Sequence, residues 1–315
     1  MHILFVADPL ASFKIYKDTT FAMMREAQRR GYALSVCEPK DIRWQTGEKV
    51  TATIRTITLT GQADDWFTAA PAIRRPLNEF DAVVMRKDPP FDNEFFYSTH
   101  LLEQAEREGA RVFNKPRALR DHPEKLAILE FARFSGPTLV TRSADDIKRF
   151  HAEHKDIILK PLDGMGGMGI FRVKEDGLNL GSITETLNKD GAQSVMVQKF
   201  LPEIAQGDKR VLVIGGKPVP YSLARIPQGS EVRGNLAAGG LGVAQKLSAR
   251  DQEIGDALGP VLAARGLLLA GVDVIGDYVT EINVTSPTCF QEIFQQTGFD
   301  VAAMFIEALE AALNN

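Results

Sequence analysis

The sequence predicts an α/β protein of three units, and three observations carry that expectation. Short apolar strands alternate with amphipathic helices through the first third. In the middle, a glycine-rich loop, Lys160-Pro-Leu-Asp-Gly-Met-Gly-Gly-Met-Gly169, lies between two strand-like runs. The last third holds pairs of strand-like segments around glycine turns. At 315 residues the chain exceeds one ordinary domain, and its 44% hydrophobic and 25% charged content is that of a soluble globular protein.

The first unit is expected to span residues 1–122. Residues 3–6 read as a buried strand, Thr19 or Thr20 can cap a helix running to Arg30, Gly31 stops it, and residues 32–36 form the next strand. In residues 50–59, Thr and Arg alternate with Val and Ile, which predicts a half-exposed strand paired with the segment before Gly47. Residues 81–85 are a buried strand, 93–108 a helix ended by Gly109, and 110–113 another strand. Such alternation gives a Rossmann-like, mostly parallel sheet with its ligand crevice at the carboxyl ends of the strands. Arg86-Lys87-Asp88-Pro89-Pro90 falls at one of those ends, where the two cations either hold a carboxylate or sit in a solvated turn with a stiff exit.

The second unit, residues 123–200, reads as a small α+β lid. It is entered by a helix over 123–134 carrying Lys125 and contains a strand at 137–140, a helix over 143–154, another near 183–187 and a strand at 194–199. Between them lies the glycine loop. Glycine lets backbone N–H groups converge on phosphate oxygens, and Lys160 adds charge there. The residues after Gly169 are aromatic and β-branched, so the loop closes a hairpin and opens no helix, which excludes the usual P-loop and dinucleotide fingerprints. A mobile surface loop is the other reading. Gln198-Lys199-Phe200-Leu201-Pro202 ends a strand, where backbone groups can meet an adenine edge or the strand merely stops.

The third unit, residues 201–315, is richer in hairpins. Residues 210–214 and 219–226 flank Gly215-Gly216-Lys217-Pro218, and residues 272–275 and 278–284 flank Gly276-Asp277. Between these hairpins, residues 227–242 form a glycine-rich loop too long to be idle in a compact domain. Asp273, Glu281 and Asn283 are oxygen donors. Glu281 and Asn283 share one strand face and the turn returns Asp273 beside them, so the group reads either as a Mg²⁺ site completed by phosphates or as a polar hairpin face. Arg210, Arg225 and Arg233 are cations of the type that grips carboxylates and phosphates, although singly each also reads as a surface residue.

A net charge of −4 argues against nucleic acid or a membrane surface as the main partner. Cys37 and Cys289 make neither a disulfide framework nor a zinc pattern. Burial explains both better than nucleophilic chemistry does. The N-terminus has no basic, apolar leader, so the expected location is the cytoplasm.

Together these residues resemble a family. Lys125, Lys160 before a glycine hairpin, Gln198–Leu201, Asp208-Lys209-Arg210, and Asp273 with Glu281-Ile-Asn283 are similar to the ATP-grasp ligases. Met85-Arg-Lys-Asp-Pro-Pro-Phe91, Arg225-Ile-Pro-Gln, Arg233-Gly-Asn-Leu-Ala-Ala-Gly-Gly240 and Thr280-Glu-Ile-Asn-Val-Thr-Ser-Pro287 resemble, more narrowly, the bacterial glutathione synthetases. The resemblance implies an ATP-grasp fold behind the N-terminal α/β unit and an ATP-dependent ligase that joins γ-glutamylcysteine to glycine. It implies that Lys125, Lys160, Gly164, Met165, Gly166 and Gly167 hold the phosphates, and that Gln198, Lys199, Phe200, Leu201 and Asp208 hold adenosine. Arg210 is expected at both nucleotide and substrate. The metal, Mg²⁺ with Mn²⁺ as a substitute, falls to Asp273, Glu281 and Asn283. Arg86, Arg225, Arg233, Ser286 and Thr288 take the dipeptide, with Lys160, Arg210 and Arg233 acting in catalysis. A homo-oligomer, a tetramer, is also implied. Two other readings share parts of this pattern: an ATP-grasp ligase for glutamate or D-alanine, and a non-catalytic ATP-binding scaffold.

Overall fold

The computed structural model describes residues 1–229 and 231–314. Eight strands build the first sheet: β1 (His2–Val6), β2 (Ala33–Cys37), β3 (Ile42–Arg43), β4 (Thr51–Leu59), β5 (Phe67–Ala69), β6 (Ile73–Pro76), β7 (Ala82–Met85) and β8 (Val112–Phe113). Their order is β3-β4-β2-β1-β7-β8, with β5 and β6 also on β4. β1 runs parallel to β2 and β7, and β7 parallel to β8, as the alternation with α1 (Thr19–Arg29) and α2 (Asn93–Arg107) requires. β4 pairs with β3 through Ile42–Ala52 and Arg43–Thr51, as expected, and also runs antiparallel to β2. One boundary differs from expectation. Asp18 caps α1 by accepting the Phe21 N–H at 2.7 Å, while Thr19 and Thr20 lie buried inside the helix, since a carboxylate at that position also meets the positive end of the helix dipole. A short helix, α3 (Pro116–Asp121), leads out of this layer.

The second sheet has the antiparallel order β11-β10-β12-β9, from β9 (Thr138–Thr141), β10 (Ile157–Pro161), β11 (Phe171–Val173) and β12 (Val195–Lys199). α4 (Ala144–His154), capped by Ser143, and α5 (Leu180–Asn188) cover one face. Ile147, Leu159, Leu187 and Val197 belong to a small core of their own there. The third sheet runs β15-β14-β13-β16-β17, from β13 (Asp208–Ile214), β14 (Lys217–Ile226), β15 (Leu241–Lys246), β16 (Leu269–Ile275) and β17 (Tyr278–Asn283). Three helices beyond those read from the sequence complete it: α6 (Ala249–Ala264), α7 (Phe290–Thr297) and α8 (Val301–Asn314). α8 packs on α1, so Met23 and Phe5 share a core with Leu212, Phe305 and Leu309 from the other end of the chain.

The helix expected over residues 123–134 is a 3₁₀ stretch, Leu126–Phe134, broken at Phe131 (φ −117°, ψ 40°). Both its ends are tied to β17. The Glu124 carbonyl accepts the Ile282 N–H at 3.0 Å, and Ser135 bridges Val279. With its ends pinned to an extended strand, the segment is held in tight, irregular turns despite its apolar, helix-like pattern.

Candidate active site

A cleft of about 290 Å³ opens between the second and third sheets, and its floor follows from strand register. On β16 and β17, Asp273 stands opposite Glu281 and Gly271 opposite Asn283. On the other side of β16, Arg210 of β13 stands opposite Asp273, and Asp208 of β13 opposite Arg225 of β14. Side chains in register across neighbouring strands meet, so this arrangement places acids and arginines alternately on one surface.

The contacts are close. Arg210 donates to both Asp273 oxygens, from Nε at 2.5 Å and Nη2 at 3.0 Å; Arg225 Nη2 lies 2.9 Å from Asp273 Oδ2 and 2.5 Å from Asp208 Oδ2. All four groups are buried. Burial would raise the Asp273 carboxyl, but Arg210 and Arg225 overcome it and hold the group well below the usual carboxylate range. Burial pushes Asp208 up to about 6 against the pull of Arg225. Asp208 Oδ1 is buried without a hydrogen-bond partner.

The roof comes from the second sheet. The glycine loop joins β10 to β11 as an antiparallel hairpin, in register from Ile157–Val173 to Leu159–Phe171. Lys125 Nζ donates to the Gly164 carbonyl at 2.5 Å and lies 3.3 Å from Glu281 Oε1; Lys160 Nζ donates to the Thr280 carbonyl at 3.1 Å. Two buried lysines thus tie the roof to the floor, and burial lowers the pKa of Lys160. From the long 227–240 loop, Arg233 reaches up to the Gly167 carbonyl at 3.2 Å and pairs with Glu231. Gly167 has φ +84°, so the turn requires glycine, and a Cβ there would stand 2.8 Å from Asn235 Oδ1 and displace that side chain.

At the end of β12, Gln198 Nε2 donates to Thr138 Oγ1 at 3.1 Å, and the Arg172 guanidinium lies 3.5 Å from the Phe200 ring centre. The backbone amides of Lys199 and Phe200 already donate to Pro137 and Asp156 carbonyls at 3.0 and 2.9 Å. Leu201 is the first residue after them whose amide has no partner among the described residues.

The structure therefore brings every site residue read from the sequence to this one cleft except Arg86. Arg86 is buried behind it, donating from Nε to Thr20 Oγ1 at 3.1 Å and from Nη2 to the Pro287 carbonyl at 3.0 Å. Its place at the end of β7 suited a carboxylate ligand, but the fold turns the guanidinium inward, onto the backbone of the 284–288 turn. Cys289, also on the cleft wall, is buried at φ +91° with its thiol pushed up by burial, which makes it a packing residue. The sequence reading missed Glu124, whose signal was only its position next to Lys125. Half-buried on the cleft wall, its Oε1 accepts from Val284 N, Thr285 N and Thr285 Oγ1 at 2.9, 3.0 and 2.9 Å.

Among the described residues no cluster of three His, Cys, Asp or Glu side chains forms a complete metal cage. The cleft instead offers Glu281 and Asn283, whose Nδ2 donates to the Gly271 carbonyl and to Asp273, leaving Oδ1 free of that work. Asp273 stands beside them with both oxygens taking donors from Arg210 and Arg225, and would reach a metal only by releasing one of them. An incomplete set of hard oxygen donors fits a divalent cation that also binds phosphates.

Two family models cover nearly the whole chain: the prokaryotic glutathione synthetase N-terminal domain matches residues 1–120, and the ATP-grasp domain of the same enzymes matches residues 124–298. The chain belongs to the prokaryotic glutathione synthetase family. It is accordingly an ATP-dependent ligase, with ATP as co-substrate and a divalent metal at the site. It is 62% identical to a glutathione synthetase of Ralstonia nicotianae over 99% of this chain and 96% of that one. It is 52% identical to one of Pseudomonas aeruginosa over 98% and 97%. Among solved structures it resembles a D-cycloserine synthetase (TM-score 0.70, 17% identity, 99% of each chain). It also resembles the ATP-grasp ligase PsnB with its precursor peptide (TM-score 0.61, 21% identity, 99% and 97%). At such identities these two show the ATP-grasp fold alone. No helix among the described residues is long and apolar enough to cross a membrane.

Proposed function

We propose that this protein joins γ-L-glutamyl-L-cysteine to glycine, yielding glutathione, ADP and phosphate. The observation that carries the reading is the division of one cleft into a lysine and glycine-loop roof and an arginine-rich floor, within a family of glutathione synthetases. In this scheme Lys125, Lys160 and the loop from Gly164 through Met165 and Gly166 to Gly167 hold the ATP phosphates. Gln198, Lys199, Phe200, Leu201 and Asp208 hold adenosine, with the free Leu201 amide and the unpaired Asp208 Oδ1 as the available polar groups. Asp273, Glu281 and Asn283 would hold Mg²⁺, which neutralises phosphate charge when bound.

Arg210, Arg225, Arg233, Ser286 and Thr288 orient the dipeptide. Its cysteinyl carboxylate attacks the γ-phosphorus, the bond to the bridging oxygen breaks, and ADP leaves behind an acyl phosphate. The glycine amine then attacks the acyl carbon, phosphate departs, and the nitrogen loses its proton as the amide forms. Positioning and charge carry phosphoryl transfer, so lysines and arginines suffice. The acyl phosphate must be kept from water, a task suited to the two loops that meet at Gly167 and Arg233.

The test is an omission assay with Mg-ATP, dipeptide and glycine. ADP and glutathione formed only in the complete mixture support the assignment; ADP without peptide product would point to another acceptor. A cytoplasmic setting is supported by two unpaired, buried cysteines. A homotetramer would show a solution mass near four times 34.7 kDa by light scattering.

A further inference from the structure

The turn after the β17 oxygen donors carries Ser286 and Thr288 into the cleft, and it is irregular backbone without strand partners. Its polar groups must be satisfied by side chains, and two charged residues from distant parts of the chain do so. We propose that Glu124 and Arg86 are positioning residues that clamp the 284–288 turn, so that Ser286 and Thr288 meet the dipeptide while Glu281 and Asn283 keep their place; this rests on the ligase reading above.

Glu124 holds the near end of the turn. One carboxylate oxygen takes two successive amides and a hydroxyl, and the Glu124 carbonyl takes the Ile282 N–H, so the residue grips β17 and the turn together. Hydrogen bonds to a charged acceptor are the strong kind. Arg86 holds the far end through the Pro287 carbonyl, and its own carbonyl accepts from Ser286 Oγ at 3.4 Å. No carboxylate pairs with Arg86 among the described residues. Asp18 and Asp88 favour its charge from a distance, while its direct contacts lead to Thr20 and the turn. With Asn114, whose Nδ2 donates to the Val284 carbonyl at 2.8 Å, three segments meet on the five residues that precede Cys289 and α7.

The clamp needs an acceptor at position 124 more than it needs a charge, and that separates it from a direct ligand role. With the full-length protein, Glu124→Gln keeps the carbonyl oxygen and should stay within about fivefold of wild type in kcat/KM for the dipeptide; Glu124→Ala should lose about 30-fold or more. Thr285→Val, which removes a single donor, should lose about three- to tenfold. Metal-free ADP binding without dipeptide should stay within about twofold in all three, because the clamp acts on the dipeptide turn and the metal donors and not on the adenosine and phosphate contacts. The Glu124→Ala, Thr285→Val double variant should be little worse than Glu124→Ala alone, since both break one contact.

Equal losses in Glu124→Gln and Glu124→Ala would overturn the proposal by showing that the charge itself meets a ligand; so would unchanged kinetics in Glu124→Ala or additive losses in the double variant. If circular dichroism shows that Glu124→Ala does not fold, Glu124→Gln and Thr285→Val decide: near-wild-type Gln with a dipeptide-specific loss in Val supports the clamp, and any other pairing overturns it. Failure of the underlying ligase reading is separate, because it would appear in the wild-type omission assay.

Discussion

Asp273→Asn tests the floor of the cleft at its centre. In the wild-type chain this buried carboxylate takes donors from Arg210, Arg225 and Asn283, the longest at 3.1 Å. Asparagine keeps the size, removes the charge and turns an N–H₂ group toward donors. Arg210 then loses its carboxylate partner, and Arg225 keeps only Asp208. Removing one partner from a buried ion pair costs about 3–5 kcal/mol, because the remaining charge stays desolvated. At about 2–4 °C per kcal/mol for a unit of this size, the ligand-free melting temperature should fall by roughly 6–20 °C. Differential scanning calorimetry without nucleotide or metal isolates this from any loss of binding. Adding Arg210→Gln, which removes the guanidinium whose carboxylate partner was Asp273, should recover several degrees.

The same group sets a pH dependence. Because the folded state holds the Asp273 carboxyl below its ordinary 3.8, its contribution is full above that value and is lost as pH falls through the lowered one. The stability gap between wild type and Asp273→Asn should therefore hold from neutral pH to about 4 and close only below it. A variant that melts within about 2 °C of wild type yet is inactive would refute the reasoning, since the arginines would then owe none of their stability to Asp273.

Three further outcomes follow from the site. Glu281→Gln removes one ligand charge and should raise the Mg²⁺ concentration for half-maximal rate by about tenfold, and an unaltered metal titration would count against Glu281 as a ligand. Arg233→Ala should lower kcat/KM for the dipeptide by about 10- to 100-fold, equivalent to ~1.4–2.7 kcal/mol, while nucleotide binding without dipeptide is kept. Wild-type steady-state kinetics would take the 227–240 loop out of the mechanism. Gly167→Ala adds a Cβ 3.1 Å from Arg233 Cδ at a left-handed position that costs an ordinary residue about 1–2 kcal/mol, so the dipeptide KM should rise several-fold. Gly181→Ala, in α5 with nothing within 4 Å, is the control and should be neutral or stabilising by up to about 1 kcal/mol.

Local chemistry made much of this protein legible in its sequence. Apolar runs of period two separated by Gly215-Gly216 and Gly276-Asp277 announce hairpins, because only glycine and its like take positive φ at such turns without strain. The same logic identified the loop after Lys160, and it placed Glu281 and Asn283 on one face with Asp273 beside them, since strand periodicity and a tight turn set those neighbours. The tertiary structure alone decided which charges meet across the sheets. Nothing local turns Arg86 onto Pro287, brings Glu124 to Thr285 or sets Arg210 and Arg225 on Asp273, for these contacts join segments 48 to 201 residues apart. The helix-like pattern of residues 123–134 yielded for the same reason: β17 held both ends, and long-range pairing outweighed the weak local preference.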